Sequence, residues 1–143
     1  MIGCILINSP QHSIMNQEEA YQFCYHKDSR LLELYTKEQW KLLDEILGTK
    51  NLKVRYRNIY ISTLLVREGA RYDFWVGGSD LGHEDDWRWL NSGEDVPDFI
   101  WDKPYQGDDG VNQNCMFLNS GSHLAWDTPC SAAVSQYPLC QKI

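Results

Sequence analysis

The stretch Phe74-Trp75-Val76-Gly77-Gly78-Ser79-Asp80-Leu81-Gly82-His83-Glu84-Asp85-Asp86-Trp87-Arg88-Trp89-Leu90 decides the architecture. Phe74, Trp75 and Val76 form an apolar, aromatic run that reaches Gly77 and Gly78 without a helical period. Beyond an acidic turn, Trp87 and Trp89 recur at the period of two expected of a strand. Three tryptophans within fifteen residues predict a tightly packed aromatic β core. The paired glycines predict close backbone approach or a bulge rather than a flexible linker.

On the N-terminal side of this stretch the signals are helical. Asn16 stands as an N-cap with Glu19 at the third helical position, followed by Ala20, Phe23 and Cys24 at helical spacing. A helix from about Gln17 to Lys27 follows, with Cys24 facing the core. A second helix is capped by Thr36 and Gln39 and ended by Gly48. Trp40, Leu43 and Leu47 line one of its faces, widened by Leu42 and Ile46. Before these, Cys4 to Asn8 reads as an opening strand stopped by Ser9-Pro10.

Residues 49 to 73 alternate Leu52, Val54 and Tyr56 with Lys53, Arg55 and Arg57. Three cations on one strand face either hold sulfate, phosphate or carboxylate groups, or protect an edge strand from aggregation. On the C-terminal side, Asn91-Ser92-Gly93 supplies a turn. Glu94 to Gly110 is long, acidic and irregular, with Trp101 as its large anchor. Asn114 to Leu118, Leu124 to Trp126 and Tyr137 to Gln141 read as short strands.

The 143 residues form one domain, residues 1 to 143, with no repeat, linker or membrane-spanning run. Net charge is -7, which disfavours a nucleic-acid partner. Residues 80 to 110 carry ten carboxylates against Arg88 and Lys103 alone. Met1 to Ile7 is too short for a signal peptide, so a secreted form would have lost its targeting segment, with Met1 an artificial start. The five cysteines, Cys4, Cys24, Cys115, Cys130 and Cys140, include no C-x-x-C, and the histidines are scattered. That pattern opposes structural zinc and suits an oxidised extracellular domain with two bridges and one cysteine left over. No G-x-S-x-G, phosphate-cradling loop or H-E-x-x-H occurs, so an enzyme is not expected.

Several landmarks coincide in order: Phe23-Cys24, Leu31-Leu32, the capped second helix and Trp75-Val76-Gly77-Gly78. They continue with Trp87-Arg88-Trp89, Trp101 with Pro104, Asn114-Cys115, Trp126-Asp127 with Cys130, and Tyr137-Pro138-Leu139-Cys140. From Cys4 to Cys140 the chain resembles a C-type lectin-like domain, in particular invertebrate secreted members. The resemblance implies an α+β fold with two helices flanking two small antiparallel β-sheets and a long irregular loop. It implies bridges Cys24–Cys140 and Cys115–Cys130. Cys4 falls where longer members have the second cysteine of an extra N-terminal pair, so it is either a truncation remnant or a link to another chain.

Function in this family usually sits at a calcium ion in the long loop, and calcium takes six to eight oxygen ligands. At the corresponding positions stand Lys103-Pro104-Tyr105, Gln113, Trp126 and Asp127, so only Asp127 keeps its acidic oxygen. An auxiliary calcium site is implied at Asp80 and Glu84, with Asp108 and Asp109 able to complete it; the alternative is a solvated acidic loop. The expected function is non-catalytic recognition of a protein or glycan without the usual loop calcium. Ligand-binding candidates are Lys103, Tyr105, Gln113, Trp126 and Asp127 in the loop and Lys53, Arg55 and Arg57 on the cationic strand. The runners-up are a calcium-dependent, sugar-binding lectin of innate immunity with a rearranged site, and a structural subunit of a disulfide-linked assembly through Cys4.

Overall fold

The computed structural model describes residues 5–7, 14–48, 73–103, 112–132 and 134–142. Two helices and a mixed sheet make up this part of the chain, in the order β1 (Ile5–Ile7), β2 (Ile14–Met15), α1 (Gln17–His26), β3 (Ser29–Leu31), α2 (Lys37–Gly48), β4 (Asp73–Ser79), β5 (Arg88–Trp89), β6 (Cys115–Leu118), β7 (Ala125–Thr128) and β8 (Val134–Lys142). Both helices start where the sequence places them. Asn16 accepts from the Glu19 N–H at 2.8 Å while Glu19 accepts from the Asn16 N–H at 3.3 Å. Thr36 and Gln39 exchange the same reciprocal bonds at 3.2 Å each. These pairs satisfy donors that the first helical turn leaves unpartnered.

β8 is the hub of the sheet, whose strand order is β1-β8-β4-β6-β7. β1, β2 and β3 each pair with β8 antiparallel, whereas β4 pairs with it in parallel, Phe74 opposite Tyr137. The strands expected as two small antiparallel sheets are therefore joined along β8 and β4. The opening strand expected at Cys4 to Asn8 is β1. Cys4 itself, the cationic alternation of Lys53, Arg55 and Arg57, and the loop residues Pro104, Tyr105, Asp108 and Asp109 lie outside the described residues.

The core sits where the tryptophans predict. Trp75 is fully buried, and Trp87, Trp89 and Trp101 are nearly so. Trp87 and Trp101 meet edge to face with ring centroids 4.8 Å apart, the geometry that the ring quadrupoles favour. Gly77-Gly78 meets the expectation of a bulge, and the tight contact at Gly78 is with a side chain rather than backbone. The β4–β6 register shifts between Trp75 and Ser79, and a Cβ on Gly78 would lie 2.6 Å from Met116 Cε. Two disulfides close the domain, Cys24–Cys140 and Cys115–Cys130, the pairing that the family likeness implies.

Gln17 joins α1 to β4. Its Nε2 donates to the Val76 and Gly78 carbonyls at 2.9 Å each. Its Oε1 lies 2.8 Å from Cys115 Sγ, a close contact rather than a hydrogen bond, because a disulfide sulfur carries no proton.

Candidate functional site

β4 ends at Ser79, and the chain turns at once through the acidic segment 80–86. Ser79 Oγ donates to the Asn114 carbonyl at 2.9 Å, and the Asp80 N–H donates to the same oxygen at 3.2 Å. The turn then folds back on Asp80: the His83 N–H reaches its carbonyl at 2.9 Å and the Asp85 N–H its Oδ2 at 3.0 Å. Gly82 and Asp85 take left-handed φ values of 88° and 63° to make this possible. Asp80 is left only 3% exposed, and its Oδ1 is buried with no hydrogen-bond partner among the described residues.

Carboxylate oxygens of Asp80, Glu84 and Asp85 lie within 4.8 Å of one another. Burial, reinforced by the Asp85 charge, raises the Asp80 pKa, although the Asp85 N–H bond opposes that rise. Glu84 is raised as well, by desolvation and then by the charges of Asp80 and Asp85. The nearby cation does not relieve this crowding, because Arg88 binds Asp86 at 3.1 Å and Asp95 at 3.3 Å. A hard divalent cation would. Asp80, Glu84 and Asp85 thus bring together three carboxylates, the hard oxygen donors that calcium takes.

At the position of the usual loop ion the chemistry is different. Lys103 is exposed, and Gln113, Trp126 and Asp127 are half-buried. Trp126 Nε1 donates to Asp102 Oδ2 at 2.9 Å, and Ser122 Oγ donates to the same oxygen at 2.8 Å. The Trp126 ring packs on Phe117 with centroids 5.9 Å apart. Asp102, which the sequence leaves without a role, is thus engaged by two side-chain donors. Among the described residues here, Lys103 offers an ammonium and Trp126 an indole N–H, neither of which is an oxygen donor for calcium.

Glu33 is the other acid that sequence reasoning missed. It is fully buried, accepting from Tyr35 Oη at 2.6 Å, the Asn91 N–H at 2.8 Å and the Ser92 N–H at 3.3 Å. The available signal was an acid embedded in the apolar run Leu31-Leu32-Glu33-Leu34. A carboxylate there needs partners, and it holds the turn that follows β5.

The Lectin C-type domain family model matches residues 13–142. The chain belongs to this family. Among curated relatives, a perlucin-like protein of the mussel Mytilus galloprovincialis is 32% identical over 57 residues. That match takes in 40% of the domain and 36% of the mussel protein, so the chain spans about a third of that relative's length. Among solved structures, the carbohydrate-recognition domain of mouse scavenger receptor C-type lectin superposes with a TM-score of 0.70 at 19% identity, covering 98% of this lectin-type domain and 87% of that chain. A C-type lectin from the tunicate Polyandrocarpa misakiensis gives 0.65 at 20% identity, covering 95% and 94%. At these identities the likeness is one of fold.

Proposed function

We propose that this C-type lectin domain is a non-catalytic, extracellular recognition module that binds a protein or glycan ligand without calcium in the long loop. The observation that carries this reading is Trp126, which stands where the resemblance places an amide ligand and whose indole N–H is committed to Asp102 Oδ2 at 2.9 Å. The lectin family match and the carbohydrate-recognition domain among the structural neighbours support a ligand-binding role. Two disulfides favour an oxidising, extracellular setting, and no described helix is long and apolar enough to cross a membrane.

One observation favours a second reading, a calcium-assisted lectin with a rearranged site: the unpartnered Asp80 Oδ1 beside Glu84 and Asp85. Bound there, calcium would neutralise the crowded carboxylates and stiffen the turn. Calorimetric calcium titration together with a glycan array, with and without chelator, separates the two readings. Ligand binding that survives chelation is the expected result. Calcium that binds should be abolished by Asp80→Ala and spared by Asp127→Ala. A large calcium-dependent rise in melting temperature that vanishes in Asp127→Ala would reinstate the loop ion and overturn the proposal.

A further inference from the structure

A cleft of about 460 Å³ opens beside the acidic turn, between the start of α1 and the ends of β4 and β5. Its walls include Glu18, Tyr21, Leu81, Asp86 and Leu90, and Asp80 is part of them. Glu84 and Asp85 are not, so the cleft and the three-carboxylate cluster share Asp80 alone. Arg88 also borders the cleft, but its guanidinium already reaches Asp86, Asp95 and the Gly93 carbonyl. His83 lines the cleft as well, and among the described residues neither Asp80 nor Glu18 forms an ion pair. Asp80 is almost wholly buried, and its Oδ1 has no hydrogen-bond partner among the described residues. A buried acceptor left unpaired is costly, and a charge-assisted donor from a ligand removes that cost.

The rim is apolar. Leu81 and Leu90 are 67% and 45% exposed, large aliphatic side chains left in water next to an acidic pocket. An apolar stem ending in a cation matches both features, as in the long side chains of lysine and arginine. We propose that this cleft receives a lysine or arginine side chain of a partner protein, its cationic head against Asp80 and Glu18 and its methylene stem along Tyr21, Leu81 and Leu90. A basic segment would be drawn in by the acidity of this part of the chain, since residues 80 to 110 carry ten carboxylates and two cations in a sequence of net charge -7. This inference narrows the protein-recognition branch of the function proposed above, and it adds a linkage: calcium at the acidic turn and a basic side chain in the cleft compete for Asp80.

A fluorescein-labelled tetra-arginine peptide, titrated into the domain by fluorescence anisotropy at physiological salt with chelator present, tests it. Saturable binding is expected, with none for the tetra-citrulline counterpart, which keeps the shape and lacks the charge. Asp80→Asn should weaken binding at least tenfold and Tyr21→Ala severalfold, whereas Asp98→Asn, an exposed acid outside the cleft, should leave it unchanged. Should Asp80→Asn fail to fold, the exposed helix variant Glu18→Gln carries the same test, with a severalfold loss expected. Absence of binding, equal binding by the cleft variants, or an equal loss in Asp98→Asn overturns the proposal. Replacing chelator with millimolar calcium should weaken the peptide. A domain that calcium stabilises but that never binds the peptide keeps the ion site and loses the cleft; one that binds the peptide without responding to calcium does the reverse.

Discussion

Glu33 shows what a single buried charge does in this domain. Its carboxylate, fully removed from solvent, is offset by three donors, two of them backbone N–H groups of the turn after β5. Removing the acceptor leaves those donors buried and unpaired, which costs more than the bonds contributed. Glu33→Ala should therefore lose about 3 kcal/mol of stability in urea unfolding, and Glu33→Gln, which keeps an acceptor oxygen, distinctly less. A loss below about 1 kcal/mol in the alanine variant would mean that the turn is anchored elsewhere. Tyr35 reports on the same group. Burial, and then the hydrogen bond to Glu33, raise its pKa above the ordinary 10.0. The phenol must keep its proton to donate, and the unfolded chain releases it first. Its contribution is thus complete below about pH 10 and declines as pH rises through the raised folded value. The stability gap between the parent and Tyr35→Phe should shrink as pH rises above about 10 in urea titrations; a constant gap would sever the link to Glu33.

Among the elements, β4 carries the greatest load. Trp75 is fully buried, and its Nε1 donates to the Met15 carbonyl at 2.9 Å, so one side chain fills the core and ties β2 to the central strand. Trp75→Ala should cost roughly 3–5 kcal/mol, read as a fall in denaturation midpoint; an unchanged midpoint would show the core to lie elsewhere. What was legible in the sequence follows from range. The two helices are set by capping pairs three residues apart, and both appear with the predicted starts. The aromatic strand was legible because period and residue type are local as well. The parallel pairing of Trp75 with Pro138 was not, since its partner lies far along the chain. The candidate site divides the same way. Asp80 and Glu84 could be singled out from their spacing, and Asp85 joins them through a turn that only the left-handed residues Gly82 and Asp85 close. Asp102 gave no signal, because the donors that define it, Ser122 and Trp126, stand 20 and 24 residues away.

The whole molecule is held by two closures of unequal reach. Cys24–Cys140 joins α1 to β8 across a separation of 116 residues, whereas Cys115–Cys130 spans 15. If a bridge acts chiefly by restricting the unfolded chain, its effect grows with the logarithm of the loop it closes, giving about 5 kcal/mol for the first and about 3 kcal/mol for the second. Position adds to the difference. Cys24 and Cys140 are fully buried within the cluster that contains Trp75 and Leu31, so replacing them also opens core volume. Cys130 is only partly buried, at the edge of that cluster, and its loss leaves a smaller defect. The variant Cys24→Ala/Cys140→Ala should therefore melt well below Cys115→Ala/Cys130→Ala in calorimetry, and the parent treated with reductant should fall to or below the weaker of the two. Equal melting temperatures would mean that the unfolded chain keeps the α1–β8 contact without the bridge, since chain entropy alone cannot equalise loops of such different length. The opposite order would place the controlling constraint at the 115–130 loop, beside the acidic turn rather than around the fold.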